Sequence, residues 1–485
     1  LSWATQIFNS IKEFEPRKKH VKNISNDYVI RVLDSPLQVD AALWNELLAG
    51  QSPQGALNPF MRHEYLAAMH ESGSASLETG WTARFITLWQ GEQLAAACAL
   101  YLKSHSYGEY VFDWAWANAY AQHGLEYYPK ALVAAPFTPV PGARLLARNA
   151  DERLLLVQAL IAWCGEEKLS SLHLLFADDE DVAACEQAGL MLRNTVQFHW
   201  KNKLAAPADT SHAPAEQDAR QSQEIQTGYK DFDDFLISLS QEKRKKIRQE
   251  KRKVHDAGIR FRSSLGQDIS NADWDFFYRC YEQTYYEHGN KPYLSRDFFQ
   301  RMQDSMAQNW LMFIAEFTDP ETGAKQAIAS SLIALSAAPQ TAADKTDHKP
   351  LTYHTAYGRY WGALARVDCL HFEACYYQPL QWCIEHGLHS FEGGAQGEHK
   401  MARALLPIKT TSAHWLAHPS FADAVERFLE REGAGIDSYM DDLEKRSPFK
   451  ATSAPASAPT ALPAAVKSTA ENAKKALDAP STDQS

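Results

Sequence analysis

Residues 357–415 read YGRYWGALARVDCLHFEACYYQPLQWCIEHGLHSFEGGAQGEHKMARALLPIKTTSAHW. Ionisable and amide side chains recur through the stretch at Arg359, His371, Glu373, Gln378, Glu398, His399, Lys400, Arg403 and His414. They alternate with Tyr357, Tyr360, Trp361, Tyr376 and Tyr377 and gather about Gly393-Gly394-Ala395-Gln396-Gly397. A segment that only filled a core would be mainly aliphatic, whereas reactive polar groups, aromatics and glycines on alternating secondary elements line substrate clefts. The stretch therefore reads as a catalytic or binding face.

Working outward, strand-like runs at Trp310 to Phe317, Ala327 to Leu335 and Leu351 to Tyr357 precede a helix near Pro379 to His386 and a strand at Ser390 to Glu392. Upstream lie a helix from Asp231, a strand at Ile259 to Arg262 and a long aromatic helix from Trp274. The same order appears earlier. Trp81 to Trp89 and Leu94 to Leu102 form a hairpin about Gln90-Gly91-Glu92, followed by a helix at Leu154 to Glu167, a strand at Ser171 to Phe176, a helix at Asp181 to Ala188 and a strand at Met191 to Trp200. Two related α/β copies with mixed, hairpin-rich sheets are expected. Their bounds are residues 27–203 and 229–446, with a polar linker at 204–228.

Flanking these, residues 1–26 carry Leu1, Ala4, Ile7, Phe8, Ile11 and Phe14 at helical spacing, an amphipathic extension that either docks or frays. Residues 447–485 are rich in Ala, Pro and Ser and read as a disordered tail, and a similar tract at 337–350 reads as a hairpin loop. The chain has 485 residues, 45% hydrophobic and 22% charged, more than one core accommodates. A net charge of -11 argues against a general nucleic-acid coat. Seven scattered cysteines without a C-x-x-C pair suit a reducing compartment, and no apolar run is long enough for a transmembrane segment, so a cytoplasmic location is expected.

Several strings are specific enough to place the chain. Phe112-Asp113-Trp114-Ala115-Trp116-Ala117-Asn118-Ala119-Tyr120, Tyr127-Tyr128-Pro129-Lys130, Gly358-Arg359-Tyr360-Trp361-Gly362, Leu370-His371-Phe372-Glu373, Gly394-Ala395-Gln396-Gly397-Glu398-His399-Lys400 and Ser412-Ala413-His414-Trp415 resemble the bacterial predicted N-acyltransferases described as peptidoglycan biosynthesis or recognition proteins. That family is similar in fold to the Fem-type aminoacyltransferases. The resemblance implies two tandem GNAT-like domains and an acyl donor that is acyl-CoA or aminoacyl-tRNA. It leaves the acceptor open, an amine-bearing small molecule or a cell-wall precursor. A non-catalytic protein that recognises peptidoglycan or nucleotide-linked precursors on a transferase fold is the alternative.

In GNAT-type sheets the acyl carrier sits where two parallel strands splay, which places it here between Leu351 to Tyr357 and Ser390 to Glu392. The glycine-containing pyrophosphate loop of acetyl-CoA enzymes is missing before Pro379, which favours a larger carrier. Amine acylation needs a proton acceptor and donors aimed at the developing oxyanion. Glu373 among Phe372, Tyr376 and Tyr377, or Glu398 and His399 after the glycines, are the acid/base candidates; each also reads as a hydrogen-bonded structural group. Substrate contacts are expected from Tyr357, Arg359, Trp361, His371, Tyr376, Tyr377, Gln378, Gln396, Lys400, Arg403 and His414, and from Asp113, Trp116, Asn118, Tyr128 and Lys130 of the first copy. Both sets are expected to face one cleft. No metal-ligand spacing is present. The run Lys243-Arg244-Lys245-Lys246-Ile247-Arg248-Gln249-Glu250-Lys251-Arg252-Lys253 is either a solvated helix or a polyanion contact, with tRNA the candidate partner.

Overall fold

The structure, a computed structural model, describes residues 28–52, 55–202, 228–338, 351–395 and 397–450. The expected extension at 1–26, nearly all of the linker, most of the 337–350 tract, Gln396 and the tail beyond Lys450 lie outside the described residues.

The first copy contributes β1 (Tyr28–Leu33), β2 (Trp81–Ala83), β3 (Phe85–Gln90), β4 (Gln93–Cys98), β5 (Leu100–Lys103), β6 (Lys130–Val133), β7 (Leu146–Ala147), β8 (Ser171–Ala177) and β9 (Met191–Lys201). The second contributes β10 (Ile259–Leu265), β11 (Trp310–Thr318), β12 (Lys325–Ala337), β13 (Tyr353–Ala363), β14 (Ser390–Ala395) and β15 (Leu406–Leu416). The fold is mixed α/β with two tandem repeats. β1-β3-β4-β7 make a small sheet, and the remaining strands join in one large sheet ordered β10-β11-β12-β13-β14-β9-β15-β8-β6-β5-β2. Its two parallel pairings are equivalent: β6 with β8 in one repeat, β13 with β14 in the other.

The last strand of each repeat is exchanged. β9 leaves the first copy to pair with β14, β15 leaves the second to pair with β8, and the two returning strands pair with each other. Register repeats as well as order. His173 stands opposite His414 and Leu172 opposite Trp415, while Glu392 stands opposite His199 and Phe391 opposite Trp200. The dipeptide His-Trp thus occupies matching rungs at 199–200 and 414–415.

Several helix starts carry side-chain caps. Asp40, Asn149, Asp178, Asp231, Ser270 and Ser295 each accept from a backbone N–H of the first turn. The basic helix Gln241–Asp256 buries only Ile247, Glu250 and Val254, the three-and-four spacing of a single inward stripe. One apolar core crosses the repeats, bringing Phe60, Tyr65 and Phe137 together with Phe298, Trp310 and Tyr357.

Three expectations change. Trp81 to Trp89 and Leu94 to Leu102 do form a hairpin, but each strand breaks, at Arg84 and Ala99, and is divided between the large sheet and the small one. The break serves two cores, because Phe85 packs into one cluster while Ile86 and Leu88 pack into another. The 113–130 stretch, whose mixture of aromatic and polar residues reads in the sequence as loop-like, contains the helix Trp114–Gln122, whose Trp116 and Tyr120 bury against Val425 and Leu429 of the long helix Pro419–Glu444. The helix expected near Pro379 begins at Leu370 instead. A π turn at Glu373–Tyr377 precedes Gln378–Glu385, and Pro379 sits in the first turn after it, where a missing backbone N–H does least harm.

Candidate active site

β13 and β14 run in register only at Thr355–Ser390, Ala356–Phe391 and Tyr357–Glu392, and pairing stops there. Glu392 is therefore the last residue before the strands part. Its side chain keeps 16% of its surface exposed, and Oε2 is buried without a hydrogen-bond partner. Burial pushes its carboxyl up to about 8, against the pull of the Arg144 guanidinium. Opposite, His199 Nδ1 lies 3.8 Å from Glu392 Oε1. Gln197 fixes that imidazole. Its Nε2 donates to Pro139 O at 2.7 Å, so its Oε1 accepts from His199 Nε2 at 3.2 Å and leaves Nδ1 as an acceptor facing the carboxyl. Burial pulls His199 down to about 3, so the ring is neutral.

Gly358 follows at the parting. A side chain there would collide with the Phe391 ring, 2.8 Å from the position of its Cβ. Between Gly358 and Tyr360 the register with β12 slips, because Leu332 pairs with Tyr360 and Ile333 with Gly358, which leaves Arg359 as the extra residue of a bulge. Arg359 Nη2 donates to Phe137 O of the first repeat at 2.7 Å. Tyr357 packs edge-on against Phe60, and Trp361 meets the His371 ring with centroids 5.5 Å apart.

The other acid/base candidates are engaged elsewhere. The π turn aims Glu373 and Tyr377 at the basic helix: Lys251 Nζ donates to Glu373 Oε1 at 2.9 Å, Gln378 Nε2 donates to the same oxygen at 2.6 Å, and the Tyr377 hydroxyl donates to Glu250. Arg403 donates to both Glu250 oxygens, at 3.0 and 2.9 Å, and its guanidinium lies 3.4 Å from the Phe372 ring centroid. At 2% side-chain exposure Arg403 is part of the interior. Glu398 lies on the surface, where it accepts from Tyr439 and pairs with Arg446. Tyr376 and His399 meet at 3.3 Å. Buried Lys400 donates to Gly394 O at 2.9 Å, and burial draws its ammonium down to about 8. Gln396 lies outside the described residues.

The first-repeat candidates join a separate buried chain. Lys130 donates to Ser106 and Glu109, each at 2.8 Å, and to Asp113. The Tyr127 hydroxyl donates to Asp113 at 2.6 Å and meets His173 Nε2 at 3.1 Å. His173 Nδ1 and His414 Nδ1 are 2.7 Å apart, so one of the two must carry the proton between them. Burial pulls His173 down to about 3 and His414 well down. Trp116 covers the pair, its ring 5.0 Å from that of His414, and Tyr128 bonds Ser106. Asn118 is exposed on its helix. The expected residues thus fall into three places: the strand parting, the basic-helix cluster and this network.

Sequence reading passed over Glu392, His199 and Glu250. Glu392 looked like the end of a strand; its equivalence to His173, through the repeated His-Trp rungs, was the available signal. Among the described residues no group of three His, Cys, Asp or Glu could hold a metal ion, and no helix is long and apolar enough to cross a membrane. Lys243, Arg244, Lys245, Lys246 and Arg248 lie along the outer face of the basic helix, with Lys245, Lys246 and Arg248 the most open to solvent.

A family model described as FemAB-like, peptidoglycan biosynthesis/recognition, matches residues 35–213 and again 208–451. The chain belongs to the FemAB-like family. Its two matches are the two repeats that exchange β9 and β15. Solved structures of low identity are similar to this FemAB-like chain. FemX is 9% identical at a TM-score of 0.46, with 80% of this chain and 98% of that one covered. The C-terminal domain of a putative lysylphosphatidylglycerol synthetase from Agrobacterium fabrum is 9% identical at 0.44, covering 81% and 96%. A tandem GNAT protein from the clavulanic acid biosynthesis pathway is 10% identical at 0.38, covering 81% and 99%. No curated protein matches this FemAB-like chain in sequence.

Proposed function

We propose that this protein is an N-acyltransferase that moves an acyl or aminoacyl group from an activated carrier to an amine, with a peptidoglycan precursor a candidate acceptor. The observation that carries the reading is Glu392: a carboxyl held near 8 with one unpartnered oxygen, at the point where β13 and β14 part. A base of that strength matches an ammonium it must deprotonate near neutral pH. The amine nitrogen attacks the acyl carbonyl carbon, the C–N bond forms and the amine proton passes to Glu392. The bond to the carrier then breaks, and its sulfur or oxygen leaves with the electron pair. Backbone amides of β13 beyond Tyr357, which have no β14 partner, are the candidate oxyanion donors.

The remaining assignments follow from this one. Glu373 and Glu398, tied into ion pairs, act as structural carboxylates, and Arg403 anchors Glu250 rather than substrate. The exposed cations of Gln241–Asp256 would meet the polyanionic carrier, acyl-CoA or aminoacyl-tRNA. Residues 27–203 and 229–446 are the two domains of this enzyme, which we place in the cytoplasm with those donors. Acyl-CoA and charged-tRNA donors should be incubated with muropeptide amines and product followed by mass. Wild type is expected to turn over and Glu392→Gln to lose at least a hundredfold, about 2.7 kcal/mol of barrier. Full activity in Glu392→Gln sinks the assignment.

A further inference from the structure

Arg359 is a mostly buried cation with no acidic partner among the described residues. Several other buried cations do have one: Lys130 pairs with Glu109 and Asp113, Arg153 with Glu180 and Asp181, Arg403 with Glu250, while Lys103 donates to Tyr107 O and lies over the Trp81 ring. Taking a guanidinium out of water without a counter-charge is costly, and the free energy must be recovered from something else. Part comes from Phe137 O and from ring faces, since the guanidinium carbon lies 5.4 Å from the Tyr360 centroid and 6.0 Å from those of Phe60 and Tyr110. The phenols of Tyr110, near the guanidinium, and of Tyr65, near Tyr360, add to this, yet Arg359 Nε and the Tyr360 hydroxyl are both buried with no partner in hydrogen-bond geometry.

These orphaned groups border a cavity of about 250 Å³ between the repeats. Tyr110 and Phe137 close it from the first repeat; Tyr281, Thr284 and Tyr285 of the helix Asn271–Glu287 close it from the second. No acidic side chain lines it. Burial raises Tyr281, Tyr285 and Tyr360 above their ordinary value, which keeps those three phenols neutral, and Arg359 is the one cationic side chain in the aromatic wall of the cavity. One guanidinium with a free edge suits a carboxylate. A phosphate dianion would call for a second cation or a nest of backbone amides, and the lining supplies neither.

We propose that this cavity binds the carboxylate end of a small amino-acid-like substrate, with Arg359 and the Tyr360 hydroxyl taking the carboxylate and the tyrosine rings taking its apolar side chain. This rests on the transferase reading for its meaning, as the acceptor's anchor, but it is a binding site whether or not turnover occurs. Its position agrees with that role. Arg359 is the bulged residue next after Gly358, and Gly358 lies beside Glu392 O across the parting strands.

The test is ligand-observed NMR and calorimetry on the full chain with leucine, leucinamide and inorganic phosphate as probes. Leucine is expected to bind and leucinamide to bind at least about tenfold more weakly, for want of one charge-assisted hydrogen bond. Arg359→Lys should weaken leucine by a similar factor. Thr284→Trp, which fills the cavity from the opposite wall and leaves Arg359 in place, should abolish leucine binding, so the outcome does not depend on Arg359→Lys folding. Equal affinity for leucine and leucinamide, binding unaffected by Thr284→Trp, or no leucine binding at tens of millimolar overturns the proposal. Phosphate binding more tightly than leucine overturns the carboxylate in favour of a phosphoryl anchor. Glu392→Gln separates the two readings: abolished turnover with leucine binding intact concerns the base alone, while retained turnover in a wild type that ignores leucine removes this site alone.

Discussion

Glu392 and His199 stand on opposed rungs of β14 and β9, 3.8 Å apart, where the other repeat sets His173 against His414. One duplicated position therefore holds a carboxyl with raised proton affinity, and its counterpart holds two imidazoles kept neutral.

Transfer by the wild type should rise as pH passes through about 8, because Glu392 must lose its proton to act as a base. Stability moves the other way. The folded state holds that proton from the ordinary carboxyl range up to about 8 while the unfolded chain has released it, so the free energy of unfolding falls with rising pH by up to about 1.4 kcal/mol per unit across that window. Glu392→Gln should remove both slopes, as read by a pH–rate profile and by urea melts.

His173 gives the opposite acid response. Its folded-state affinity for protons is depressed to about 3, so the unfolded chain binds the proton first as pH falls below about 6.5, and stability drops between there and about 3. His173→Gln should flatten this part of the acid melt. An unchanged acid limb would mean that the imidazole is not buried neutral.

Glu250→Gln should destabilise by about 3–5 kcal/mol, since it strands Arg403 without a counter-charge beneath Phe372. Glu250→Leu combined with Arg403→Met should recover most of that stability. A double-mutant cycle in urea measures the coupling, and two small additive effects would show the pair to be solvent-screened.

Gly362→Ala should destabilise by at least about 1–3 kcal/mol. A Cβ there would collide with the carbonyl oxygen of Cys280, on the helix that lies directly over β13. Thermal melting reports it, and a wild-type midpoint would contradict the packing.

Replacing Lys245, Lys246 and Arg248 with Gln should weaken tRNA binding and reduce the slope of log affinity against log salt by about 0.7–0.9 for each phosphate no longer neutralised. An unchanged slope in filter binding rules the helix out as the tRNA-binding surface.

Much of the repeat was legible because its signals are local. Val196, Phe198 and Trp200 alternate with Gln197 and His199 in the last strand of the first repeat, and Asp178, Asp231 and Ser270 cap the helices that follow them. What escaped depends on distant partners. Trp114–Gln122 is a helix because its aromatics meet Pro419–Glu444, some three hundred residues on, and the corners at Arg84 and Ala99 exist because two cores compete for one hairpin. Glu373 drew attention through its aromatic neighbours, yet Lys251, far off in sequence, takes it as an ion-pair partner. Glu392 acquires its chemistry from where β13 stops pairing, which no local pattern records.

The swap of β9 and β15 has a consequence for synthesis. When the ribosome has released only the first repeat, β8 has no β15 beside it and β9 has neither of its neighbours, so a half-finished chain presents open strand edges. Such edges invite pairing with other nascent chains until the final strand emerges and seals them. A gene fragment cut between the matches should therefore yield insoluble material, while the two pieces produced together should rescue one another.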